Sequence, residues 1–231
     1  ITLRVLGGES DIEYRVRHLL ENANPTAAIY CKTGECEIRI TARAETDSSA
    51  EKMCRAYATK FYDLLGDAVY DEDVAGLEET VVHTLQRKGL TLATAESCTG
   101  GMVAASLVDY PGISECLYEA HVTYANEAKV KYCGVKPETL AAFGAVSEQT
   151  AFEMASGLRE RSGADIAVAT TGIAGPGGGT KEKPVGLVYV ACADRHGVTV
   201  ERLQLGGDRA RVRRLATLKA LDMVRRAAIR G

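Results

Sequence analysis

The sequence predicts an α/β protein with two domains, a small split β-α-β-β-α domain and then a three-layer α/β domain with a mixed sheet. Helix-like and strand-like runs alternate along the 231 residues, a length that allows one large or two modest domains. A polar break, Asp71-Glu72-Asp73, separates the predicted domains 1–72 and 73–231. Beyond it, the near-continuous apolar run 165–170 is typical of a strand buried on both faces of a sheet.

Composition narrows the class of protein. Hydrophobic residues make up 46% and charged residues 26%, as in ordinary globular proteins, and the net charge of −3 favours neither nucleic acid nor an anionic membrane as a partner. We expect a cytoplasmic protein, because no apolar run could span a bilayer and no leader precedes the first strand. The seven scattered cysteines and the isolated histidines predict free thiols and no metal site. We expect no other cofactor either. Since the chain lacks an initiator Met, we also expect it to be part of a longer protein.

The first domain is predicted from its alternating patterns and turn signals. In order, we predict a strand 1–6, a helix capped by Ser10 or Asp11, strands 26–32 and 35–42 joined by a tight turn, a helix from Asp47 or Ser48 to about residue 64, and a short strand 68–70. Nine Lys and Arg against thirteen Asp and Glu give this segment a charge of −4, which disfavours binding to RNA. We interpret it as an accessory or dimerisation module.

The second domain alternates helices and strands. In order, we predict a helix capped by Asp73, a central strand 90–95, a small-residue helix 102–108, a strand 117–124, a short helix 126–131, a helix from Pro137, a helix 147–161, a strand 165–170, a hairpin of strands 185–193 and 198–205, and a helix 209–229.

The most informative stretch is Ala95-Glu96-Ser97-Cys98-Thr99-Gly100-Gly101, where the central strand turns directly into a helix. Such a turn presents a nucleophile and backbone N–H groups at the end of a strand, although a plain capped turn also fits. Ser97 needs a base, and no histidine is well placed. Lys129 is a candidate if burial lowers its pKa, with Tyr124 nearby; a solvated lysine and a core-edge tyrosine are the alternatives. An alternative hypothesis makes Cys98 the nucleophile.

Two further stretches suggest a bound anion. The loop 171–179 contains five glycines and fits a phosphate or carbonyl cradle, or else a flexible surface loop. Arginines crowd the start of the last helix, where the helix dipole disfavours cations, and Arg209 and Arg213 share one face. They could also pair with surface carboxylates. Together with the Ser97 turn, these parts favour hydrolysis of an acyl or amide bond in a phosphorylated small molecule.

Six short motifs in a fixed order resemble the C-terminal domain of the CinA (competence/damage-inducible) family, over residues 73–231. They are Ala95-Glu96-Ser97-Cys98-Thr99-Gly100-Gly101, Val122-Thr123-Tyr124-Ala125-Asn126-Glu127-Ala128-Lys129, Gly144-Ala145-Val146-Ser147, Thr171-Gly172-Ile173-Ala174-Gly175-Pro176, Lys183-Pro184-Val185-Gly186 and Gly207-Asp208-Arg209. Residues 1–72 resemble, more loosely, the KH-type middle domain of the same family. Full-length members carry an N-terminal domain similar to molybdopterin-binding proteins.

The resemblance implies a nicotinamide mononucleotide deamidase, an amidohydrolase that yields nicotinate mononucleotide and ammonia without a metal. It implies Ser97 as nucleophile with Tyr124 and Lys129 as the activating pair. The implied substrate-binding residues are Thr99, Gly100 and Gly101 through oxyanion N–H groups, Thr171 and Gly172, and Arg209, Arg211 and Arg213 at the phosphate. We expect a homodimer. The competing hypothesis is a non-catalytic, regulatory module that binds pyridine nucleotides.

Overall fold

The computed structural model describes all residues from Ile1 to Gly231. They form two compact units, Ile1–Thr80 and Val81–Gly231. No helix has both the length and the apolar character that a membrane span requires.

The first unit is a four-stranded antiparallel sheet with two helices. Its elements are β1 (Thr2–Leu6), α1 (Glu9–Leu20), β2 (Thr26–Lys32), β3 (Glu35–Thr41), α2 (Asp47–Leu65) and β4 (Val69–Glu72), with strand order β2-β3-β1-β4. Leu3, Val5 and Ile38 alternate onto one face of the sheet and form a single core with Val16 of α1 and Phe61 of α2. The predicted split α/β arrangement is confirmed.

Three predicted helix starts in this region differ from the structure. Helix α1 begins directly after Gly8, and Thr46 caps α2 by accepting a hydrogen bond from the Ser49 N–H. Asp73 does not cap a helix, because it has a positive φ of 53° and its carboxylate accepts the Thr2 N–H at 2.7 Å. The next helix, α3 (Leu77–Lys88), therefore starts three residues later than a helix capped by Asp73 would.

The second unit is built on a mixed five-stranded sheet. Its elements are β5 (Leu92–Glu96), α4 (Met102–Val108), β6 (Leu117–Val122), α5 (Asn126–Cys133), α6 (Pro137–Phe143), α7 (Glu148–Ser162), β7 (Ile166–Gly172), β8 (Leu187–Asp194), β9 (Gly197–Gln204) and α8 (Arg209–Arg230). The strand order is β6-β5-β7-β8-β9, in which β5 runs parallel to β6 and β7, and β8 and β9 are antiparallel. The predicted mixed sheet is confirmed.

Helices cover both faces of this sheet. Alanines of β5 and β7, such as Ala95 and Ala169, pack against Met154 and Leu158 of α7, and their small side chains let the helix lie close to the strands. Helix α8 packs on β7 and β8, and α4 packs on β5 and α8. The carboxyl ends of the three parallel strands meet at one edge of the sheet, where α/β proteins commonly place their sites.

Strand β6 ends earlier than predicted. It stops at Val122, and the Thr123 N–H still donates to the carbonyl of Glu96 on β5, at 2.8 Å, before the chain leaves the sheet. Tyr124 thus lies in the connection to α5 rather than at the strand end. This connection brings the α5 side chains towards the end of β5.

Candidate active site

Ser97 is the first residue after β5, and its position is fixed from the neighbouring strand. Its N–H donates to the carbonyl of Thr170 on β7 at 3.0 Å. Two residues on, the Thr99 and Thr170 hydroxyls lie 2.7 Å apart, and both side chains are fully buried. The turn is therefore tied to β7 through its main chain and through a side chain.

Glu96 connects the end of β5 to the first turn of helix α4. Its carboxylate is only 1% exposed and accepts three backbone N–H groups, those of Gly101 and Val103 at Oε2 (2.9 and 3.1 Å) and that of Ala104 at Oε1 (2.9 Å). Such charge-assisted bonds offset the cost of burying the carboxylate. Sequence analysis did not single out Glu96 or Thr170. The two residues are register partners on adjacent strands, a relationship that exists only in the folded sheet.

These hydrogen bonds change the prediction for the oxyanion donors. The Gly101 N–H is bound to Glu96, and the Gly100 N–H donates to the Ser97 carbonyl at 3.1 Å. Gly100 and Gly101 therefore have no N–H group to offer a substrate oxygen in this arrangement. Both have positive φ, at 63° and 93°, so their role is to let the backbone turn. The N–H groups of Cys98 and Thr99 donate to no backbone carbonyl.

Lys129 reaches the nucleophile from α5. Its side chain is 1% exposed, and Nζ donates to Ser97 Oγ at 3.1 Å, to the Thr123 carbonyl at 2.8 Å and to the Tyr124 carbonyl at 3.2 Å. Burial lowers the pKa of Lys129, because removal from water disfavours the ammonium form. The alternative of a solvated lysine is excluded by this burial.

The three contacts of Lys129 suit a general base. In the neutral amine, two hydrogens can stay on the two carbonyls while the lone pair accepts the Ser97 hydroxyl proton. The carbonyls thereby fix the direction of the lone pair. Thr123, which supplies the shorter of these carbonyl contacts, was missed by sequence analysis because a main-chain acceptor leaves no residue-type signal.

Tyr124 contributes its backbone to this arrangement rather than its side chain. The side chain is 62% exposed, and its hydroxyl makes its contact with Arg209 Nη2, at 3.3 Å. Lys129 meets only the Tyr124 carbonyl. An activating role for the Tyr124 phenol stays a prediction.

Cys98 is poorly suited to be the nucleophile. It is buried, and this burial raises the pKa of its thiol to about 11. The reactive thiolate is then scarce near neutral pH. Ser97, with an amine on its hydroxyl, is the better candidate.

The structure separates the three arginines. Arg213 Nη2 donates to the Thr99 carbonyl at 2.7 Å, and its Nε is buried without a partner. Arg209 Nη1 donates to the Gly175 carbonyl of the glycine-rich loop at 2.9 Å. Arg213 therefore borders the Ser97 turn, and Arg209 borders the glycine-rich loop that follows β7. Arg211 is exposed, and its hydrogen bond is made by its backbone N–H, which donates to the carboxylate of Asp208. Its side chain is therefore not brought to this site.

Thr171 and Gly172 end strand β7. Thr171 is buried and its hydroxyl donates to the Ala145 carbonyl at 2.7 Å, which leaves only oxygen lone pairs for a ligand. At Gly172, a Cβ would lie 2.8 Å from the Leu187 carbonyl oxygen. Close packing against β8 is therefore enough to explain this glycine. Substrate contacts from either residue remain predictions.

No group of three His, Cys, Asp or Glu side chains is arranged to hold a metal ion. A cavity of about 500 Å³ lies along α7, with Lys136 and Glu160 among its lining residues. None of the candidate site residues lines it.

Comparison with known proteins places both units. Residues 74–228 match the family model of the CinA C-terminal domain, and residues 2–70 match that of the damage-inducible protein CinA KH domain. The chain is 50% identical to a CinA-like protein of Kosmotoga olearia and 50% identical to a putative competence-damage inducible protein of Clostridium novyi. These alignments cover 98% and 99% of this chain, which spans 56% of the length of each relative.

Solved structures resemble the chain over about two thirds of its length. The competence/damage inducible protein CihA of Agrobacterium tumefaciens is 46% identical, with a TM-score of 0.62, and covers 64% of this chain and 93% of its own. A CinA superfamily protein of Klebsiella pneumoniae is 36% identical, with a TM-score of 0.64, and covers 67% and 97%. From its KH-type first unit to its C-terminal domain, this chain belongs to the CinA family.

Proposed function

We propose that the chain is an amidohydrolase that converts nicotinamide mononucleotide to nicotinate mononucleotide and ammonia. The observation that carries this proposal is the contact between Lys129 Nζ and Ser97 Oγ at 3.1 Å, made by a lysine that is 1% exposed. A buried amine on a serine hydroxyl at the end of a parallel strand supports nucleophilic attack on a carbonyl. The family resemblance supplies the identity of the substrate.

The first half of the reaction forms an acyl-enzyme. Neutral Lys129 takes the Ser97 proton as Oγ attacks the amide carbon, and negative charge develops on the amide oxygen. The N–H groups of Cys98 and Thr99 stabilise this oxyanion, because they belong to the same turn and donate to no backbone carbonyl. Protonated Lys129 then gives its proton to the leaving nitrogen, and ammonia departs.

The second half releases the acid. A water molecule takes the place of the ammonia and loses a proton to Lys129 as its oxygen attacks the ester carbon. Collapse of this intermediate returns the proton to Ser97 Oγ. One amide and one water thus yield one carboxylic acid and one ammonia, with Ser97 and Lys129 restored.

Arg209 and Arg213 supply the positive charge near the turn. They share one face of α8, and each binds a backbone carbonyl through one nitrogen, Gly175 and Thr99 respectively. Further N–H groups of each guanidinium are available for a second acceptor. This supports a phosphorylated substrate.

The experiment that tests the proposal compares nicotinamide mononucleotide with its dephosphorylated riboside. We expect ammonia and the pyridine acid to appear in equal amounts from the mononucleotide, and at least about tenfold lower kcat/KM for the riboside, which lacks the charge-assisted contacts. Saturable binding of the mononucleotide without product would contradict the proposal and favour the regulatory binding module instead.

A further inference from the structure

Two cysteines face each other across the first hairpin. Strands β2 and β3 are joined by the two-residue loop Thr33-Gly34, and in their register Cys31 is directly opposite Cys36. They lie in the first unit, and nothing in the proposed reaction uses them.

The direction of the main-chain groups shows which kind of pair this is. The Ile40 N–H donates to the Ile1 carbonyl at 2.8 Å, and the Gly34 carbonyl accepts the Gly7 N–H at 3.0 Å. Even-numbered residues of β3 therefore direct their N–H and C=O groups away from β2, and Cys36 is one of them. Cys31 and Cys36 are thus a non-hydrogen-bonded pair, for which opposite Cα atoms are about 4.5 Å apart. A disulfide accepts Cα separations of about 4.4–6.8 Å, so the backbone need not move far.

Both thiols lie on the same face of the sheet. Cys36 is buried in the core of the unit, and Cys31 packs against that core while remaining partly exposed. Burial, together with the neighbouring Cys31, raises the pKa of the Cys36 thiol. A cavity of about 140 Å³ borders both residues. A small reagent therefore meets Cys31 first. The other five cysteines are buried, and none is opposite another cysteine in the sheets.

We propose that Cys31 and Cys36 form a redox-active dithiol that exchanges with low-molecular-weight disulfides. The Cys31 thiolate attacks one sulfur of the small disulfide, which releases one thiolate that takes up the proton lost by Cys31. The Cys36 thiol then loses its proton and attacks Cys31 Sγ in the mixed disulfide, which releases the second small thiol. Two protein thiols become one disulfide, and the two electrons reduce the small disulfide to two thiols.

The test uses the full 231-residue chain, equilibrated with glutathione and glutathione disulfide at varied ratios. After acid quenching and alkylation, peptide mass mapping locates each disulfide. We expect one Cys31–Cys36 disulfide whose fraction follows the ratio and which dithiothreitol removes. In Cys36→Ala, we expect a glutathione adduct to accumulate on Cys31, whereas Cys31→Ser should leave Cys36 reduced.

A buried control from the same core, Cys54→Ala, should oxidise like the wild type, and circular dichroism checks that each variant folds. Cys31→Ser is less disruptive to folding than Cys36→Ala, because the Cys31 side chain is only partly buried. Seven reduced thiols at the highest disulfide ratio would overturn the proposal. So would a lasting glutathione adduct on wild-type Cys31, or a disulfide between any other pair.

Discussion

Lys129 Nζ lies 3.1 Å from Ser97 Oγ, and the two residues come from different elements, α5 and the end of β5. Two backbone carbonyls, from Thr123 and Tyr124, hold the amine in place. This relationship makes the proposed reaction testable residue by residue.

Replacing Lys129 should remove the base without removing the nucleophile. We expect Lys129→Met to lower kcat by at least about 10³-fold. Catalytic residues that act together are not additive, so removing one of them loses most of the rate enhancement that they provide together. Lys131→Met is the matched control, since Lys131 lies on the same helix, is exposed and should leave kcat within about twofold. Equal losses in the two variants would indicate damage to α5 rather than loss of a base.

The pH dependence follows from the lowered pKa of Lys129. Only the neutral amine accepts the Ser97 proton, so kcat/KM should rise with pH as Lys129 loses its proton. The midpoint should lie below the value of about 10.4 for an ordinary lysine, because burial disfavours the ammonium in the free enzyme. A pH profile of kcat/KM measures this. A rate that falls across the same range would mean that the charged lysine is the active form.

Glu96 should act as a positioning residue for the turn. In the wild type, both carboxylate oxygens of Glu96 accept backbone N–H groups. In Glu96→Gln, an amide NH2 group replaces one of these oxygens and cannot accept a hydrogen bond, so we expect the free energy of unfolding to fall by about 2–3 kcal/mol. The activity of the folded fraction should fall as well. Chemical denaturation measures the first effect, with the exposed Glu138→Gln as control. Unchanged stability and kcat in Glu96→Gln would contradict a positioning role for Glu96.

The arginines should differ in their effect on substrate binding. We expect Arg209→Ala to raise KM by about 10- to 100-fold, the range of a charge-assisted contact, and Arg211→Ala to change it by less than about threefold. The reason is position, because Arg209 reaches the loop at Gly175 while Arg211 is exposed on another face of α8. Steady-state kinetics with nicotinamide mononucleotide measure both. A larger effect at Arg211 would place the phosphate on the other side of the helix.

Much of the fold could be predicted from local pattern. Apolar periodicity located the strands and helices of both units, and the buried run at β7 predicted a strand covered on both faces. The helix start at Asp73 was mispredicted because its carboxylate is used by Thr2, 71 residues away, and no local pattern contains that contact.

The site was predictable where a side chain carries the chemistry. Ser97 and Lys129 are brought together as expected, although their roles remain proposals. The oxyanion donors were assigned to Thr99, Gly100 and Gly101. Gly101 was included because the Glu96 carboxylate, which accepts its N–H, is recognisable only once the turn is folded. Thr123 was missed for a related reason, since it acts through its carbonyl.

The most direct test of the central claim is ammonia release from nicotinamide mononucleotide by the wild type, Ser97→Ala and the control Ser156→Ala, without added metal. Ser156 is a suitable control because it lies on α7, where its hydroxyl bonds to the Phe152 carbonyl of its own helix. We predict release by the wild type and Ser156→Ala, and a loss of at least about 10³-fold in Ser97→Ala with the fold retained. Undiminished release by Ser97→Ala would contradict it.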